Sequence, residues 1–93
     1  MNRKKIIYSI LKEVQEGNEP KAVDYELSQG EFADIAQIIK DEGLLSNVAI
    51  AGGRIVWLNA SKITLKGIEY LEQNSPLSKT YRGLKEVRDW LKL

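Results

Sequence analysis

Seven side chains carry most of the chemistry this sequence has to offer, and six of them are cations. Arg3, Lys4 and Lys5 crowd the start of the chain, Arg54 follows the pair Gly52-Gly53, and Lys62 and Lys66 bracket Ile63-Thr64-Leu65. Cations spaced this way neutralise phosphates, the interaction that supplies most non-specific affinity for nucleic acid. Arg54, beside the tip of a tight turn, is also suited to entering a minor groove. The seventh is Gln37, whose amide has the donor and acceptor pair that reads adenine. Against these stand Asp34 and Asp41, which flank Gln37 on the same helical face and repel phosphate.

Other chemistry is scarce. The chain has neither cysteine nor histidine, so thiolate chemistry, the usual zinc and copper sites and the commonest general base are all excluded. No carboxylate pair stands in a recognisable catalytic motif, and Gly52-Gly53 lacks the following Lys-Ser/Thr of a phosphate loop. The expectation is therefore a protein without enzymatic activity and without a cofactor. A basic start too interrupted for a leader, with no apolar run of membrane-spanning length, points to the cytoplasm.

Net charge is +1 over 93 residues, a length suited to one domain spanning residues 1–93. The sign is distributed unevenly. Residues 1–12 hold four basic side chains and no acid, residues 13–44 hold nine acids against two basic groups, and residues 45–93 hold eight basic groups against four acids. Either the ends attract the middle within one fold, or the asymmetry serves a charged partner, including a second copy of the chain. The first arrangement is the favoured one.

The elements that must position these residues centre on Ser28–Leu45. Ser28-Gln29-Gly30-Glu31 is a capping box, and Phe32, Ile35, Ala36 and Ile39 recur at the spacing of one buried helical face until Gly43 ends the helix. Ala33, Asp34, Gln37 and Asp41 fall on the opposite, outward face. Upstream, Ile6, Ile7, Ile10, Leu11 and Val14 predict a helix from Arg3 to about Glu16, capped by Asn2 and stopped by Gly17. Ala22-Val23 is expected as a short strand and Asp24–Leu27 as a single helical turn. Downstream, Gly52-Gly53 predicts a two-residue hairpin loop, with Ile50 opposite Ile55 and Val48 opposite Trp57 on the core face. Lys62-Ile63 rejoins the sheet. Thr64 caps a helix to about Gln73 with Leu65, Ile68 and Leu71 inward, and Gly67 in its first turn marks either close packing against a neighbour or nothing at all. Ser75-Pro76 opens a last helix with Leu77, Tyr81, Leu84, Val87 and Leu91 inward and Trp90 at the edge of that stripe.

This order, a capped helix followed by a strand and a tight hairpin, predicts an α+β domain of winged helix-turn-helix type, with the hairpin as wing and an extra C-terminal helix. Asp24-Tyr25-Glu26, Glu42-Gly43-Leu44 and the run Ile63–Glu72 with Asn74-Ser75 resemble a small bacterial and prophage family named YjcQ. Phage-borne winged-helix proteins follow the wing with a similar Ile-Thr-x-Lys-Gly run. The resemblance implies a winged-helix-like α+β domain and brings no reaction, ligand or DNA site with it. The expected function, on fold analogy, is regulatory binding of nucleic acid, with double-stranded DNA as partner; the alternative is a protein-interaction module, with another protein or a second copy as partner, whose acidic helix does not read DNA.

Overall fold

In the computed structural model, which describes residues 2–93, the fold is α+β, with four α-helices and two small antiparallel ladders. Helix α1, Arg3–Gln15, is its axis. Asn2 caps it by accepting the Lys5 amide at 3.1 Å. Its buried surface extends beyond the apolar stripe to Tyr8, Ser9 and Glu13, because helices cover it on several sides. Truncating a fully buried member such as Leu11 would cost about 2–5 kcal/mol.

A 3-10 turn, Ala22–Tyr25, takes the place of the expected strand and helical turn. It places Tyr25 in a stack on Phe32, with ring centroids 6.1 Å apart. Helix α2, Gln29–Asp41, begins at the predicted box: Ser28 accepts the Glu31 amide at 3.1 Å and Glu31 accepts the Ser28 amide at 3.0 Å. Phe32, Ile35, Ala36 and Ile39 are buried as their spacing requires. Ala33, expected outside, is also buried, because the hairpin lies against that side of the helix.

Strand β1, Leu45–Ser46, pairs with β4, Lys62–Ile63, and β2, Ala49–Ala51, pairs with β3, Ile55–Trp57. The β2–β3 register corrects the expected one by a single residue: Ile50 faces Val56, Ala49 faces Trp57 and Ala51 faces Ile55. The loop has three residues, Gly52–Arg54, with Arg54 taking the left-handed position at φ 63°. A one-residue slip turns the side chains of one strand over, here those of β3, while Val48 and Ile50 keep the inward face expected of them. Val48 and Leu58 are therefore buried and Ile50 and Val56 half-buried, while Ile55 and Trp57 are exposed. Arg54, now inside the loop, pairs with Asp34 of α2.

Helix α3, Leu65–Gln73, is anchored by Thr64, whose hydroxyl accepts the Gly67 amide at 3.0 Å and donates to the Gly43 carbonyl at 2.6 Å. Gly67 is buried so tightly that a Cβ there would lie 2.3 Å from the Leu44 carbonyl oxygen. Ile68 and Leu71 are half-buried, but Leu65, expected inward, is 73% exposed. The expected last helix is broken into 3-10 turns Ser75–Lys79 and Leu84–Glu86 and a short α4, Val87–Leu91. Gly83, at φ 102°, makes the break. It turns Trp90 from the edge of a stripe into the core, 2% exposed, with its ring 4.8 Å from that of Tyr81 and its Nε1 donating to Thr80 at 2.8 Å. No described helix is long and apolar enough to cross a membrane.

Candidate functional site

The outward turn of β3 creates the most distinctive surface of the molecule. Val23 is 65% exposed, Trp57 49% and Ile55 40%, and these three apolar side chains stand around one groove. The groove runs between β3 and the Ala22–Tyr25 turn, encloses about 520 Å³, and also touches Leu27 and Phe32. The local reasons are simple. Short-range hydrogen bonds hold the turn, with the Lys21 amide donating to Asp24 at 2.7 Å, and leave Val23 at its crest. The register of the hairpin sends Ile55 and Trp57 away from α2.

Four charged side chains line the groove, Lys21, Arg54 and Arg88 against Glu26. Arg88 is fixed by donating to the Val23 carbonyl at 2.7 Å and lies 3.9 Å from the Glu26 carboxylate. Lys21 lies 3.4 Å from Glu19, and Arg54 pairs with Asp34. These pairs are largely exposed and hold little energy.

The residues singled out in the sequence are dispersed. Arg3 borders a separate open cleft of about 590 Å³ with Ile6, Tyr25 and Leu91. The Lys5 ammonium donates to the Trp90 and Leu93 carbonyls, each at 3.1 Å, and lies 5.1 Å from the centre of the Trp90 ring. It closes the C-terminal end of α4, where a cation is favoured. Gln37 donates to Asp41 at 2.8 Å along the exposed face of α2. Arg54 lies against Gly30 near the start of α2, whereas Lys66 packs at Gly43 just past its end. Thirteen helical residues separate those two positions by roughly 20 Å. Lys62 and Lys66 remain exposed on the segment that packs beside α1, where the Tyr70 hydroxyl donates to the carbonyl of the exposed Lys4 at 3.1 Å.

The profile of the YjcQ protein family matches residues 8–90, which includes both walls of the groove and all of α2 and the hairpin. The chain belongs to the YjcQ family. It is 36% identical over 94 residues to the uncharacterized protein YjcQ of Bacillus subtilis (strain 168), an alignment that covers 99% of this chain and all of that protein. No solved structure matches.

A further polar cluster of this YjcQ-family chain is internal. Tyr81 donates to the Glu13 carboxylate at 2.6 Å, which leaves its oxygen to accept from Ser9 at 2.7 Å. Ser9 has only one proton, so Tyr25 must donate to it, at 2.9 Å. Asn18 completes the cluster by donating to Glu13 at 2.9 Å. Burial, above all, pushes both tyrosines above their ordinary range, and the bond to Glu13 pushes Tyr81 further. Among the described residues no buried side-chain nitrogen or oxygen lacks a partner, so this cluster is a satisfied structural joint between α1 and the C-terminal segment.

Sequence reasoning missed Val23, Ile55 and Trp57 as a surface. Strand alternation carried the signal for two of them, but the wrong register pointed it inward. Val23 had no signal beyond an apolar residue among turn formers.

Proposed function

We propose that this YjcQ-family chain is a non-enzymatic, cytoplasmic protein-interaction module on a winged-helix-like scaffold, which docks a partner in the groove beside the hairpin. The convergence of Val23, Ile55 and Trp57 on one groove carries this reading. Exposed apolar side chains scattered singly are ordinary; grouped around a concavity with a polar rim they mark an interaction site. The winged-helix comparison rests on element order: a short turn, a capped helix and a hairpin that packs against it.

DNA binding is the second reading, and exposed Lys62 and Lys66 favour it. Its weakness lies in α2, where Gln37 is engaged by Asp41 and Arg54 by Asp34.

A photo-crosslinking residue placed at Trp57 or at Lys66 separates the two in the native host. The interaction reading expects a protein adduct from position 57 that mass spectrometry identifies. It also expects the purified partner to lose binding to Val23→Glu, a change at an exposed site that spares the fold. Nucleic-acid adducts from position 66, with none from position 57, would refute it.

A further inference from the structure

We infer that the groove takes an extended, acidic peptide segment as an added strand on the free edge of β3. The inference rests on the interaction reading above and names the partner's chemistry. The first observation concerns the backbone. Among the described residues β3 pairs only with β2, so its other edge is open, and that edge faces the groove. Amide directions alternate along a strand, and the Leu58 amide points away from β2 to donate to Glu19 at 3.0 Å. Two residues earlier, the Val56 amide and carbonyl therefore point the same way, into the groove. Backbone pairing at such an edge supplies affinity, and alternate side chains supply selectivity.

The second observation is size and lining. Three residues of β3 expose an edge about 10 Å long, enough for a segment of three to five residues. A side chain pointing inward from that segment would rest on Leu27 and Phe32; one pointing outward would lie along Trp57 or Val23. Charge is the third. Lys21, Arg54 and Arg88 outnumber Glu26 in the lining, and each of these three cations is about half exposed or more, so a ligand carboxylate can reach it beside its partner within the chain. An apolar core of β-branched or aromatic residues flanked by Asp or Glu fits all three.

The test is selection of a displayed library of random dodecapeptides on the purified full chain. The expected winners alternate β-branched or aromatic residues with Asp or Glu. A synthetic winner should lose about tenfold in affinity when the amide facing Val56 is N-methylated, because one backbone hydrogen bond is removed. It should lose at least as much against Val23→Glu. Winners that bind as helices and ignore N-methylation would overturn strand addition while leaving the groove in place. Winners indifferent to Val23→Glu would overturn both readings. No enrichment at all, or a chain that sediments as a dimer until Val23→Glu separates it, would overturn the peptide as occupant.

Discussion

Gly67→Ala tests the close backbone approach between α3 and Leu44. The new methyl would lie 2.3 Å from the Leu44 carbonyl oxygen and 2.7 Å from Ile63 Cγ1. Ordinary carbon–oxygen contacts begin near ~3.3 Å, so the overlap is about 1 Å. Ile63 can shift its side chain, but Leu44 cannot: its oxygen is backbone and already accepts the Thr64 amide at 3.2 Å. Relief requires lifting α3, which pulls Thr64 from its 2.6 Å bond to Gly43. Overpacking of this kind costs about 3 kcal/mol at the upper end of its usual range. Alanine's better helix propensity returns about 1 kcal/mol. The net expectation is about 2 kcal/mol of destabilisation, or a Tm lower by roughly 8–16 °C for a chain of this size. Urea unfolding followed by tryptophan fluorescence, with calorimetry, measures both. Gly52→Ala is the control, since nothing lies within 4 Å of a Cβ there, and its stability should hold or rise slightly. Equal stability of Gly67→Ala and the parent would refute the packing argument.

Trp57→Ala should cost about 1–2 kcal/mol, short of the 3–5 kcal/mol of a buried aromatic, because about half of the residue is already in water. A loss of 3 kcal/mol or more in urea unfolding would put Trp57 back in the core. Arg54→Gly should be about 1 kcal/mol more stable than Arg54→Ala: both lose the exposed pair with Asp34, but only glycine accepts the left-handed loop position freely. Equal stabilities would mean the loop carries no strain. Above pH 10, the ordinary tyrosine value, unfolded tyrosines ionise while Tyr25 and Tyr81 stay protonated in the fold. The unfolded chain then binds fewer protons, so stability falls as pH rises. Tyr25→Phe should flatten that fall, and an unchanged slope in pH-dependent unfolding would contradict it.

What the sequence made legible was local. Ser28 and Glu31 cap the same helix they belong to, and Thr64 and Gly67 lie within one turn of each other. Such devices work over three residues and need no knowledge of the rest of the chain. The hairpin register was not legible, because Gly52-Gly53 reads equally well as a two-residue loop, and only the fold shows Arg54 inside a three-residue loop at φ 63°, meeting Asp34 on another element. The break before α4 falls at Gly83, which an apolar spacing does not register. Spacing from Leu77 to Leu91 fits an uninterrupted helix, yet the Tyr81 hydroxyl is held by Glu13, 68 residues earlier. The groove inherits both difficulties, since it exists only once the register is fixed and Arg88 has bonded Val23.

The charge pattern gains a definite meaning from these long-range pairs. A basic beginning, an acidic middle and a basic end fit a phosphate-binding surface as well as the favoured arrangement, a chain that satisfies itself. In the fold, Lys5 closes the C-terminal carbonyls, Arg54 meets Asp34 and Arg88 approaches Glu26, so the blocks are joined to one another. A phosphate backbone would have to displace Asp34 from Arg54 and then accept Asp41 nearby on the same face. A peptide carboxylate faces the same exchange at Arg54 but recovers apolar contact with Trp57 and Val23, which phosphate cannot make. Since the competing ion pair is the same in both cases, the apolar contact is what favours the proposed peptide over a phosphate backbone at this groove.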